Sequence, residues 1–147
     1  MSKLFKIQAT WLEGTQVESE TREFKMLLDK PKEENGTNLG PKPSEVTLQA
    51  LGGCLIFAYL YAANRLEVAV DGLKVNIEGE MVPGGWMDEN NGKRTGFKNV
   101  HFEVEVKTNH SREEIEKVHN LALKASPMYD NFINPIKKSV SMHIHTS

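Results

Sequence analysis

The sequence predicts an α+β fold in a single domain spanning residues 1–147, and three features predict it. Residues 46–63 form a run without a charge, long enough for a central helix. Two later runs alternate apolar and polar residues with the period of a strand. Ser111-Arg112-Glu113-Glu114 is a capping box that opens a second helix.

The elements follow in order. Residues 3–12 have strand-like stretches, Gly14 offers a turn, and residues 16–28 run back. Within that return, Phe24, Met26 and Leu28 alternate with other residues and predict one buried face. Residues 31–43 collect Pro, Lys, Glu, Asn and Gly in a polar loop, the best candidate for a flexible flap. A helix starts at Pro43-Ser44, where proline and serine suit a helix start and Glu45 suits the positive end of its dipole. It runs through Val46, Leu51, Cys54, Leu55, Ala58, Tyr59 and Ala62 to about Arg65. Gly52-Gly53 costs this helix roughly 1 kcal/mol per glycine, so a close approach by another helix or a ligand is expected in return.

Two strands come next. Leu73, Val75 and Ile77 alternate with Lys74, Asn76 and Glu78, and Val100, Phe102, Val104 and Val106 alternate with His101, Glu103, Glu105 and Lys107. Residues 83–96 between them are rich in glycine, asparagine and charge, a long and mobile excursion for a hairpin. The second helix presents Ile115, Val118, Leu121, Ala122 and Ala125 inward and ends at Ser126-Pro127. Val140, Met142 and Ile144 make a closing strand.

Composition narrows the function classes. At 147 residues, with 39% hydrophobic and 26% charged residues, the chain can bury a core without disulfide or metal support. A formal net charge of −2 gives no general attraction to nucleic acid or an anionic membrane. The one cysteine excludes an intramolecular disulfide, and the opening Met1-Ser2-Lys3-Leu4-Phe5-Lys6 has no signal-peptide pattern, so a cytoplasmic protein is expected. Residues 46–63 approach the length of a membrane span, but Thr47, Gln49 and the paired glycines favour the centre of a soluble fold.

The run Gly40-Pro41-Lys42-Pro43-Ser44-Glu45-Val46, followed by Leu51-Gly52-Gly53-Cys54-Leu55, resembles the OsmC/Ohr family of hydroperoxide-handling proteins. The likeness takes in the early hairpin, the central helix, the strand pair, the second helix and the final strand. It implies an OsmC-like fold, with antiparallel sheets wrapped around a long central helix. It also implies an intertwined homodimer with its sites at the subunit interface, and a thiol peroxidase that reduces organic hydroperoxides. No bound cofactor is implied.

Such chemistry needs a thiolate, a cation near it, and a second thiol to resolve the sulfenic acid. By resemblance Cys54 is the peroxide-attacking cysteine; by sequence alone it reads as a small buried hydrophobe, as free cysteines in apolar helices usually are. The resolving cysteine of the two-cysteine enzymes is replaced by Ser126. The paired glutamate falls at Ser44, with Glu45 one residue later, and Leu12-Glu13-Gly14-Thr15 lacks the activating arginine, leaving Arg22 as the nearby one. Tyr129 and Phe132 follow Ser126-Pro127 and are candidates for a pocket mouth, and Ser44 is a further pocket candidate. His143 and His145 share one strand face without a third clustered ligand, so no metal site is expected. His101, His110 and His119 are scattered and read as surface residues, and Trp11 and Trp86 carry no chemistry.

Two functions remain open. In one, Cys54 reduces a hydroperoxide with Glu45 and Arg22 tuning the site, and an external thiol reductant resolves it. In the other, a non-catalytic relative binds a small hydrophobic ligand in the cavity of the dimer interface. A thiol more acidic than the ordinary value of about 8.5 marks the enzyme.

Overall fold

The structure, a computed structural model, describes residues 2–84 and 92–146. These divide into two compact units, Met1–Ala50 and Leu51–Ser147.

The first unit is built on a three-stranded antiparallel sheet in the order β1 (Gln8–Glu13), β2 (Gln16–Thr21) and β3 (Phe24–Leu28). Gly14, at φ 53°, makes the first turn. The expected single return over residues 16–28 is two strands. Thr21 pairs with Phe24 across a two-residue turn, and Arg22 at φ 54° takes the left-handed conformation that such a turn requires. The buried face expected of β3 is open within the chain, with Phe24 54% and Met26 44% exposed.

The polar loop at residues 31–43 is not a free flap. The Asp29 carboxylate, itself 1% exposed, accepts the hydroxyls of Thr15 and Thr37. It also accepts the backbone N–H groups of Lys30 at 2.7 Å and Leu39 at 3.0 Å. Around it the backbone closes on itself, Asp29 N–H donating to Pro41 O and Asn38 N–H to Lys30 O. A single 3-10 turn, Lys32–Glu34, completes the loop. Two glycines let the chain pass this closely: a Cβ at Gly36 or at Gly40 would lie 2.0 Å from the carbonyl oxygen of Lys30 or of Leu27.

Helix α1 (Pro43–Arg65) begins in the first unit, and its later turns belong to the second. That second unit continues with β4 (Gly72–Met81), β5 (Phe97–Lys107), α2 (Arg112–Ala125) and α3 (Pro127–Ile133). β4 and β5 pair antiparallel with Leu73 opposite Val106, Val75 opposite Val104 and Ile77 opposite Phe102. The charged residues between them fall on the other face, so alternation separates a core side from a wet side. The core gathers Ala58, Tyr59, Ala62 and Ala63 of α1, Val118 and Ala122 of α2, and Val68, with Leu73, Val104, Val106, Ile115 and Leu121 packed around them. α1 is long and apolar enough to cross a membrane by length and composition alone. Here that apolar surface supplies six buried residues, the usual office of such a helix at the centre of a domain.

The capping box forms as expected. Ser111 Oγ accepts the Glu114 N–H, and the Glu114 carboxylate accepts the Ser111 N–H. Residues 85–91 of the excursion between β4 and β5 lie outside the described residues. The expected closing strand at Val140, Met142 and Ile144 is not formed: this segment has no regular secondary structure and no strand partner among the described residues. These side chains are 93%, 79% and 78% exposed. Their alternation is strand-like, but a strand exists only where a neighbouring edge takes its hydrogen bonds.

Candidate active site

Helical periodicity sets the surroundings of Cys54. Leu51 and Leu55 are fully buried, Gly53 and Phe57 face outward, and Cys54 lies at the border between the two faces, half-buried. Its sulfur is therefore neither sealed in hydrocarbon nor openly solvated. The close approach expected at the paired glycines is made by a strand rather than by a helix. A Cβ at Gly52 would stand 3.3 Å from Cδ1 of Ile77 on β4, whereas one at Gly53 would meet nothing within 4 Å.

The group facing the sulfur is Ser126. Its Oγ lies 3.2 Å from Cys54 Sγ. Ser126 ends α2 and also begins α3, where its Oγ accepts the Tyr129 N–H at 3.2 Å and Pro127 takes the first helical position. The sequence reading stopped the helical region at Ser126-Pro127 and so missed α3. The signal was there in a serine followed by proline and, in the first turn, Asp130. Tyr129 is braced edge-on against Phe102 of β5, ring centroids 5.9 Å apart, and Phe132 is 38% exposed.

The remaining predicted site residues belong to the first unit. Glu45 stands in the first turn of α1, where its carboxylate accepts the Lys42 N–H at 2.8 Å. Ser44, beside it, is half-buried. The Arg22 guanidinium lies over the Phe24 ring, 4.9 Å from its centroid.

Two polar constructions were missed. The first is the Asp29 clamp, whose four hydrogen bonds hold the carboxyl well below the usual carboxylate range, the Thr15 and Thr37 hydroxyls contributing most. The second is in the core, where the Tyr59 hydroxyl is bonded to Nδ1 of His119 and the rings meet edge-on at 5.7 Å. Burial pushes the Tyr59 hydroxyl up to about 12. His119 is thus not the solvated residue expected of it. His110 is also engaged: Nε2 accepts the Ala69 N–H at 3.1 Å, and Nδ1 lies 3.3 Å from the Glu114 carboxylate. His101 does lie at the surface, 3.7 Å from Glu103. Among the described residues no group of three or more His, Cys, Asp or Glu is placed to hold a metal ion.

These features define an α+β protein with a half-buried thiol on its long helix, set against the junction of two shorter helices. The chain belongs to the family described as OsmC-like protein, which it matches over residues 36–141. Its fold is that of an OsmC-like protein from Mycoplasma pneumoniae, at 20% identity, with a TM-score of 0.80 over 92% of this chain and 91% of that one. It is also similar to an organic hydroperoxide resistance protein from Elizabethkingia anophelis, at 17% identity and TM-score 0.68 over 93% and 94% of the two chains. The organic hydroperoxide resistance protein OsmC of Legionella pneumophila shares the fold at 18% identity and TM-score 0.66, over 88% and 89%. No curated protein matches the chain.

Proposed function

We propose that this chain, a single OsmC-like domain, is a one-cysteine, thiol-dependent organic hydroperoxide reductase that works as a cytoplasmic homodimer. The observation that carries the reading is the position of Cys54, half-buried on α1 and in polar contact with the residue that replaces a second thiol. The Cys54 thiolate attacks a peroxide oxygen and the O–O bond breaks. The alkoxide leaves with a proton as an alcohol, and the cysteine becomes a sulfenic acid. An external thiol then condenses with it, releasing water and leaving a mixed disulfide. A second thiol frees Cys54 and departs as the oxidised disulfide.

The resemblance gives Glu45 and Arg22 supporting parts in activating the thiol, and Glu45→Gln and Arg22→Ala test each of them. The deciding experiment follows consumption of cumene hydroperoxide with dithiothreitol, wild type against Cys54→Ser. Loss of turnover in the variant supports the enzyme. Equal rates overturn it and leave the other reading, a binder of small hydrophobic ligands, which Ser126 favours because it cannot close a disulfide.

A second copy of the chain suits the apolar surface that this one leaves open. Phe57 on the outward face of α1 is 75% exposed, and the tail at Val140, Met142 and Ile144 has strand alternation without a strand partner among the described residues. Sedimentation of the wild type should give a dimer, and Phe57→Glu should shift it toward single chains.

A further inference from the structure

Ser126 stands where a two-cysteine enzyme keeps its second thiol, but its oxygen has work of its own. A serine hydroxyl offers one hydrogen and two acceptor positions. One acceptor position is taken by the Tyr129 N–H, which fixes the oxygen at the start of α3. The side chain is 1% exposed, so solvent does not take up the hydrogen. A buried hydroxyl hydrogen needs an acceptor. The Cys54 sulfur lies 3.2 Å away in a contact where either group can donate while the sulfur is a thiol, and only the hydroxyl can once the sulfur is ionised.

We propose that Ser126 is a hydrogen-bond donor to the Cys54 sulfur, stabilising the anion formed when the sulfur attacks and fixing its direction at the junction of α2 and α3. This deepens the reading of Cys54 as the peroxide-attacking group and rests on it. It assigns Ser126 a part in activation rather than in resolution. A hydrogen bond to a charged partner is stronger than one between neutral groups, so the donor favours the ionised sulfur over the thiol. The same hydroxyl has no sulfur with which to trap the sulfenic acid, and that step passes to a low-molecular-weight thiol.

The test is the pH profile of Cys54 alkylation by iodoacetamide in the full chain, with circular dichroism as the check on folding. Ser126→Ala should move the midpoint to higher pH and lower the rate at pH 7 about tenfold, the change in thiolate fraction that a shift of about one unit gives. Ser126→Thr, which keeps both the hydroxyl and the helix cap, should keep the wild-type profile. A folded alanine variant with an unchanged profile overturns the proposal, and so does a folded threonine variant that behaves like alanine.

Should the alanine variant not fold, Ser126→Thr and Ser126→Cys carry the test. With a thiol at position 126, one equivalent of diamide, which oxidises adjacent thiols without any peroxidase step, should form a disulfide with Cys54 and remove both free thiols. Persistence of both thiols after oxidation overturns the placement. The outcomes separate the two readings. A shifted alkylation profile in a protein that consumes no hydroperoxide rejects the peroxidase alone. Turnover with an unshifted profile rejects the part given to Ser126 alone.

Discussion

The Tyr59 hydroxyl, closed off from solvent in the core of the second unit, is hydrogen bonded to Nδ1 of His119 on α2. The two ends of this bond are unequally placed, since His119 is half-exposed while Tyr59 is 1% exposed. Removing the tyrosine hydroxyl leaves an imidazole nitrogen that water can reach. Removing the imidazole leaves a phenol hydroxyl buried without a partner, the costlier outcome. His119→Leu should therefore destabilise the protein by about 1–3 kcal/mol and Tyr59→Phe by about 1 kcal/mol or less, read from urea unfolding.

The same tyrosine sets an alkaline limit. Its hydroxyl is raised to about 12 in the folded chain against an ordinary 10.0, because burial disfavours the phenolate. A raised value means that the stabilisation is whole below the ordinary value and is lost as pH climbs through the folded one. Between roughly pH 10 and pH 12 the wild type should lose stability faster than Tyr59→Phe. Parallel urea midpoints at pH 8 and pH 11 check this, and identical slopes for the two proteins would count against it.

Asp29 sets the acid limit by the opposite sign. Its carboxyl is held below the usual range by the Thr15 and Thr37 hydroxyls and by the Leu39 and Lys30 N–H groups. The stabilisation is present above the ordinary carboxylate value, about 4, and drains away as pH falls below it. Asp29→Asn should remove this acid dependence. It should also lower the thermal midpoint by several degrees at neutral pH. The cause is geometric: Lys30 and Leu39 donate to different carboxylate oxygens, and an amide has only one oxygen to offer.

Glycine substitutions should divide sharply by location. Gly36→Ala and Gly40→Ala each press a Cβ to 2.0 Å from backbone oxygen, so the loop must open, with thermal melts showing a large loss. Gly52→Ala meets only the flexible end of Ile77 at 3.3 Å. There a gain of about 1 kcal/mol in helix propensity offsets the crowding, and the melt should stay near wild type.

Regular elements were legible in the sequence because each obeys a local rule. The capping box at Ser111, the alternation at Leu73-Val75-Ile77 and the uncharged run into α1 all specify conformation within a few residues. The turn at Arg22 was hidden because a non-glycine residue there adopts φ 54°. The Asp29 clamp and the Tyr59–His119 bond join residues far apart in the chain, and no spacing rule announces them. Cys54 stood out as a candidate through its neighbours Gly52 and Gly53 and the preceding Pro43-Ser44-Glu45. The contact of its sulfur with Ser126 needed the fold, since 72 positions separate the two.

The unpartnered tail bears on how variants of this protein are handled. A solitary chain presents Val140, Met142 and Ile144 as a sticky ribbon, and β1 adds an open edge carrying Trp11 at 70% exposure. Such ribbons stack on one another and come out of solution. If the proposed dimer forms, a substitution that leaves chains solitary should deplete the supernatant before it reveals anything about sulfur chemistry. Activity lost in such a variant has to be normalised to the protein that stays dissolved.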